Sequence, residues 1–525
     1  MTRAKGGFDV RTVSILNDVL GPVMRGPSSS HTAGSFHIGC LARDLLGAEP
    51  ASAEFIFDPG GSLAEVYQQQ GSDIAFTAGL LGLSITDQGF LRALDVAVER
   101  DLDVSFTVAP LPQADHPNAV EIRMTGRDGR RLTVLAKSIG GGAVVFTRVA
   151  SWPVHLTGDA YEVLVVCQAE AEAALRQRLA QDKHMIGEPT SQVQRDRALV
   201  HARLAEPLDT GLRSTIEDLP GVHHLRTAAP VFFVRRGRPL FSSAAEMVSL
   251  AGERALSLGE VGLAYESALL GLPEDDVLAE IAKRFEVMQA SVHRGLGADL
   301  PPMQLLRPSA RRVYQAEQAG RVAAGGLHTR AAARALAVMH VNGAMGVICA
   351  APTAGSAGVI PGTLVTMVEE WGLNPRGAAL ALLAASAVGL VVAARATFAA
   401  EVAGCQVEIG AAGAMAAAAV VEAAGGTAQQ AADAAAIALQ NTMGSICDMV
   451  QGIVEIPCHT RNAVAASSAF VCADLILGGY LNPIPLDETV DAVYATGQML
   501  PRELKCTALG GLAVTPSAQA LPRLR

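Results

Sequence analysis

Apolar and polar positions follow two different rhythms along this chain. In the first half, short runs read as strands, set between helical stretches and turns rich in Gly and Pro. Val10–Leu20 is patterned as an amphipathic helix, and Ile38–Leu46 as a second helical run. Ala53–Phe57 reads as a strand, Asp58–Ser62 as a turn and Leu63–Leu83 as mostly helix. Val104–Ala109, Ala119–Met124, Arg131–Ala136 and Ala143–Val149 read as further strands, with a hairpin turn at Gly126–Gly129. Between 158 and 235 the order becomes strand (Tyr161–Val166), helix (Glu170–Gln181), strand (Ala198–Leu204), helix (Thr210–Leu219) and a short apolar strand (Val231–Val234). That order suits a small α+β module. The charges of Glu170, Glu172, Arg176 and Arg178 read as a solvated helix face.

From Ser243 onward strand-like alternation disappears and alanine-rich helical periodicity takes over. The breaks fall at Gly271–Pro273, Gly297–Pro302, Pro352–Gly362, Asn374–Pro375, Gly425–Gly426 and Gly478–Gly479. The pattern predicts a multidomain chain with an N-terminal α/β (α+β) domain, a small α+β module and a C-terminal all-α domain. Gly377–Ala394 is free of charge and touches the length of a membrane-spanning helix. Its Ala and Gly content fits the centre of a large helical domain better, so no membrane is expected.

Composition narrows this picture. A chain of 525 residues exceeds one ordinary core, and two to four domains are expected. Half of it is hydrophobic and 18% charged, so it folds. A formal charge of -10 argues against a nucleic-acid partner, which would need a basic face. Eight cysteines show no paired framework and fit a reducing cytoplasm, and Met1–Gly7 lacks the apolar region of a signal peptide.

Candidate chemistry concentrates between Gly404 and Asn462. Cys405, Cys447 and Cys458 lie there with 41 and 10 residues between them. Thiolates suit iron–sulfur clusters or zinc, and three on a four-iron cluster would leave one iron open for Lewis-acid chemistry. None of the intervals is a Cys-x-x-Cys pair, and packed free thiols are the commoner outcome of spacing alone. Gly26–Ser35 carries Ser28, Ser29, Ser30, His31 and Thr32 ahead of a helix. Hydroxyls and free N–H groups there could hold a carboxylate or phosphate; an ordinary serine cap is equally compatible. The triple glycine Gly140–Gly142 after Ser138-Ile139 marks a tight loop or a close backbone approach.

Taken together these stretches resemble the iron–sulfur-dependent L-serine dehydratases, also called L-serine ammonia-lyases. The matching residues are Gly26–Thr32, Ser138–Gly142, Pro352–Gly358, Gly404-Cys405-Gln406, Cys447-Asp448, Pro457-Cys458 and Arg461-Asn462-Ala463, in the family's order. The resemblance implies a β-type domain over 1–157, a degenerate ACT-like module over 158–235 and a helical α-type domain over 236–525. It implies a 4Fe-4S cluster on Cys405, Cys447 and Cys458, carried by the helical domain. It further implies a carbon–oxygen lyase that converts L-serine to pyruvate and ammonia in a cytoplasmic homodimer. His31 is the expected base, helped by Ser29 and Ser30. Ser28, Thr32, Thr353, Gly355 and Ser356 would bind substrate. Cys40, Cys167, Cys349 and Cys472 are expected in cores. Some relatives end in a cysteine that caps the open iron; this chain ends Leu521–Arg525, and Cys506 is not an obvious replacement.

The chain also departs from the family. Arg395–Ala400 replaces a small polar stretch, Met449–Gly452 replaces Pro-Val-Ala-Gly, Ser35 replaces a proline, and Gln70 stands where histidine is common. A guanidinium at Arg395 would favour a substrate with an additional anionic group. The alternatives are therefore the same chemistry on another β-hydroxy or β-substituted amino acid, and a cluster protein without catalysis. Zinc and pyridoxal phosphate readings are weaker, since no fourth zinc ligand or Schiff-base lysine loop stands out.

Overall fold

A computed structural model describes residues 12–524. The expectation for Met1–Gly7 and the first two residues of the predicted Val10–Leu20 helix lie outside them. By internal contacts the chain forms two units. One is Ser28–Arg236; the other is Gly237–Arg525 together with the chain up to Pro27. The mixed α/β first region and helical second region predicted from the pattern are both present.

The Ser28–Arg236 unit holds two sheets. The larger has six strands in the order Asp103–Val108, Pro50–Phe57, Ala119–Gly126, Arg131–Ser138, Val144–Val149 and Trp152–Leu156. Only the first pair is parallel. Helix Gly34–Leu46 packs on this sheet and against helix Ser72–Leu81. Leu63–Leu83, expected to be mostly helix, holds two helices, Ser62–Val66 and Ser72–Leu81, separated where Gly71 turns the chain at φ 66°.

The smaller sheet is antiparallel, in the order Val222–Ala228, Tyr161–Gln168, Arg197–Leu204 and Thr190–Gln194. Helices Glu172–Leu179 and Thr210–Glu217 complete a β-α-β-β-α-β order. Val163, Val165, Cys167, Leu175, Leu179, Val200 and Ile216 form its core, so Cys167 is indeed a packed thiol. The strand predicted at Val231–Val234 is not one. The sheet instead takes Val222–Ala228, whose half-exposed edge position tolerates the two histidines and the arginine that hide its pattern. Val231 and Phe232 donate their N–H groups to Gly158 O, and the Phe232 ring meets His37 edge-on.

In the other unit, Pro375–Arg395 starts on an Asn374 cap with Pro at the first position, as that sequence favours. It is a buried core helix, with 83% of its apolar window inside the protein. Cys405–Ala423, which contains helix Ile409–Ala423, is also long and apolar enough to span a membrane and is likewise buried. It packs against Val359–Trp371, Pro375–Arg395, Ala428–Thr442 and Cys458–Leu477. Small residues allow these close approaches. A Cβ on Gly259 or Gly262 would lie 2.4 or 2.7 Å from carbonyl oxygens of Leu380 or Leu383 on the facing helix. The segment before Leu20 is a single π turn, Ile15–Val19, not a regular helix. Buried Glu266 accepts from Ser14 Oγ (2.5 Å) and from the Ile15 and Leu16 N–H groups, which ties that turn to helix Leu258–Leu270. One two-stranded pairing, Val23–Arg25 with Val347–Cys349, interrupts the helices.

Candidate active site

The serine–histidine loop of the first unit is a π turn, Ser29–Ala33, leading into helix Gly34–Leu46. Ser28 caps it, accepting from the His31 N–H at 3.2 Å. The His31 ring is buried and held by hydroxyls at both nitrogens. Nε2 meets Ser62 Oγ at 2.9 Å; Nδ1 meets Ser30 Oγ at 3.2 Å and Ser28 Oγ at 3.3 Å. Ser72 donates to His31 O (2.6 Å) and Thr32 to Gln70 O (2.8 Å), locking the turn from below. Burial lowers the His31 pKa to about 4, helped by the nearby charge of His116, so the ring is neutral at pH 7. Ser29 is buried in the same turn. Ser62 and His116 were not singled out from sequence. The turn that carries Ser62 was recognised, but nothing local says which distant ring it faces. Gly142 O bonds His37 Nδ1 at 2.8 Å, so the glycine loop runs beside the same helix.

In the helical unit three buried thiols converge. Cys405 opens a short turn before helix Ile409–Ala423, Cys447 lies in the loop after Ala428–Thr442, and Cys458 begins helix Cys458–Leu477. Side chains hold these pieces in register. Gln406 accepts from Gly444 N at 2.9 Å and donates to Ala403 O. Arg461 donates to Ile446 O (2.9 Å), to Asp448 Oδ1 (3.0 Å) and to Cys405 Sγ (3.5 Å). Asn462 donates to Gly355 O and Cys458 O and accepts from Gly358 N, so the Pro352–Gly358 loop is tied to the Cys458 helix. Thr353 and Ser356 form a reciprocal cap, with the two hydroxyls 3.0 Å apart.

Glu408, three residues after Cys405, forms a close group with two of the three thiols, Cys405 and Cys447. A carboxylate oxygen of Glu408 and the sulfurs of Cys405 and Cys447 all lie within 4.8 Å of one another. Thr353 Oγ1 donates to Glu408 Oε1 at 2.6 Å. Burial pushes the Glu408 carboxyl up to about 7 against the pull of that bond. The Cys405 thiol is raised well above its usual range by its hydrogen bond to Cys447 and by burial. Burial and the neighbouring Cys405 and Glu408 charges raise Cys458 likewise. Thiols this reluctant to ionise alone are stabilised as thiolates by a metal. The donor set of buried sulfurs beside one guanidinium fits an anionic iron–sulfur centre.

Sequence reasoning did not single out Glu408, and it set Cys506 aside as no obvious capping cysteine. The Cys506 N–H donates to Cys447 O at 2.9 Å and its thiol bonds the Cys447 thiol. Packing around a strap from the C-terminal segment, not any local spacing, puts it there. Arg395 is engaged elsewhere: it pairs with Asp491 (2.6 Å) and Asp487 (3.6 Å) on helix Leu486–Met499. Cys349 and Cys472 are buried as expected, and Cys40 is half-buried.

Residues 162–513 match the family described as serine dehydratase alpha chain. The chain is 40% identical over 286 residues to the probable L-serine dehydratase alpha chain of Bacillus subtilis, covering 54% of this chain and 95% of that one. It is 48% identical over 187 residues to the corresponding probable alpha chain of Latilactobacillus sakei, covering 36% and 90%. It is 26% identical over 516 residues to the L-serine dehydratase TdcG of Escherichia coli, covering 93% and 96%.

Proposed function

This chain belongs to the L-serine dehydratase family, and we propose that it eliminates water from L-serine and releases pyruvate and ammonia at a 4Fe-4S cluster held by Cys405, Cys447 and Cys458. The observation that carries this reading is the convergence of three buried thiols with Arg461 at their edge. The cluster, when bound, supplies a Lewis-acidic iron that makes the substrate hydroxyl a better leaving group.

The protein's own groups supply the rest of the proposed chemistry. His31 takes the α-proton on a ring nitrogen, and its neutral state at pH 7 supports that role. Ser28, Ser30 and Ser62 orient the ring; Ser29 and Thr32 complete the turn that would face the substrate carboxylate. Thr353, Gly355 and Ser356 line the thiol side. Arg461 offsets negative charge on the sulfurs and fixes the Cys447 loop through Asp448. The enamine and imine that follow elimination hydrolyse in water.

Two observations refine the proposal. Arg395 is neutralised by Asp487 and Asp491, which favours L-serine over a substrate with a second anionic group. The β-α-β-β-α-β order of the smaller sheet supports an ACT-like module over 158–235, between a β-type domain over 1–157 and an α-type domain over 236–525. The expected homodimer is checked by light scattering. The function is tested by anaerobic cluster reconstitution, with iron and sulfide analysis, a visible spectrum and a pyruvate assay on L-serine. Brown protein and pyruvate are expected, both lost in Cys405→Ala. A colourless, inactive protein after reconstitution overturns the reading.

A further inference from the structure

We propose that Glu408 receives the α-ammonium of the substrate and so selects amino acids over hydroxy acids of the same shape. This rests on the L-serine reading above. The carboxylate is half-buried beside the Cys405 and Cys447 sulfurs, so a group bound there sits within reach of the thiol centre. Thr353 donates a hydrogen bond to it, and no Lys or Arg forms an ion pair with it among the described residues. The nearby guanidinium, Arg461, is committed to Asp448, Ile446 O and Cys405 Sγ.

Arg461 acts on this carboxylate through space, while its hydrogen bonds go to those three groups. Thiolates around a loaded centre add like charge beside it. A ligand ammonium brings positive charge and N–H donors directly to the carboxylate. Gly355 packs directly against this carboxylate. Gly355 has no side chain, and a Cβ there would lie 2.5 Å from Glu408 Oε1 and 3.3 Å from Oε2. The hydroxyl of L-serine belongs to the iron in the proposed chemistry, which leaves its ammonium as the group in need of an anion.

The test uses full-length protein reconstituted without oxygen, as wild type, Glu408→Gln and Glu408→Asp. Iron content is measured first. The EPR spectrum of the reduced cluster is then titrated with L-serine and with glycerate, in which a hydroxyl replaces the ammonium. Glu408→Gln is expected to keep its iron, to need about 10- to 100-fold more L-serine for the same spectral change, as loss of a charged hydrogen bond predicts, and to respond to glycerate as wild type does. Glu408→Asp, which retains the anion, is expected to recover part of the L-serine response. An unchanged L-serine midpoint in Glu408→Gln overturns the assignment. So does an equal loss for both ligands. Loss of iron in Glu408→Gln would make the side chain part of the metal centre instead, and also overturns it. A wild type that retains its cluster but neither turns over L-serine nor responds to it spectrally fails the functional reading itself. A wild type that turns over L-serine beside an unshifted Glu408→Gln fails only the Glu408 assignment.

Discussion

Replacing Asn462 by alanine tests whether one amide holds the Thr353–Ser356 turn against the Cys458 helix. Asn462 is fully buried. Its Nδ2 donates to Gly355 O at 2.8 Å and Cys458 O at 2.9 Å, and its Oδ1 accepts from Gly358 N at 3.1 Å. Cys458 O also has its helical partner, so the groups stranded by truncation are Gly355 O and the Gly358 N–H. Each buried polar group left unpaired costs about 1–3 kcal/mol, which puts the loss at roughly 2–6 kcal/mol for the pair. Trp371 lies in the helical unit and Trp152 in the other. In a Trp152→Phe background, urea unfolding followed by tryptophan fluorescence therefore reports the unit that contains Asn462. Asn462→Asp sharpens the test, because it keeps the acceptor for Gly358 but sets a carboxylate oxygen against two carbonyls. At neutral pH it should be less stable than Asn462→Ala, and it should recover as acid protonates the new carboxyl and restores a donor. A change below about 0.5 kcal/mol in Asn462→Ala, the range of an ordinary surface substitution, would refute the reasoning. So would an Asn462→Asp variant that outlasts it at neutral pH.

Gly355→Ala should retain the fold but displace the Glu408 carboxyl, since the new Cβ would fall 2.5 Å from Oε1; a stability loss of about 1–3 kcal/mol with a raised KM for L-serine is expected, by unfolding and steady-state assay. His31→Ala should lower kcat about 10²- to 10⁴-fold with unchanged iron content, and Ser62→Ala should lower it less, because Nδ1 retains its Ser28 and Ser30 contacts. Stability should fall on acidification from pH 6.5 towards 4. Burial holds His31, His37 and His340 at about 4, below the usual 6.5, so the unfolded chain binds more protons across that window. Each contributes on the order of 1–3 kcal/mol, read as Tm against pH, and His31→Asn should flatten the slope. Arg334→Ala should cost about 3–5 kcal/mol, because Arg334 is 1% exposed and binds Thr366, Tyr314, Glu369 and Glu370; calorimetry checks it.

Much of the architecture was legible locally. The Ala- and Gly-rich helices, the first strands and the breaks at Asn374-Pro375 and Gly425-Gly426 follow from periodicity and from short-range chemistry that acts within one turn. The motifs around Cys405, Cys447 and Cys458 were equally visible, because each is a contiguous string. Edge strands were less so. Val222–Ala228 pairs along one side only, so its sequence is free of the alternation that a covered strand must keep.

What surrounds the thiols was decided by tertiary structure. Glu408 and Thr353 are 55 residues apart, and a hydrogen bond joins them because Asn462 ties the turn bearing Thr353 to the Cys458 helix. Cys506 reaches Cys447 through a backbone pairing of the C-terminal segment, at a spacing no motif encodes. Arg395, which in sequence looked like a free cation for substrate, finds two carboxylates on a helix nearly a hundred residues later. Periodicity and caps are set by neighbours within a few residues, so the chain alone determined them. The charge that each ionisable group meets depends on which distant segments pack against it, and only the fold determines that.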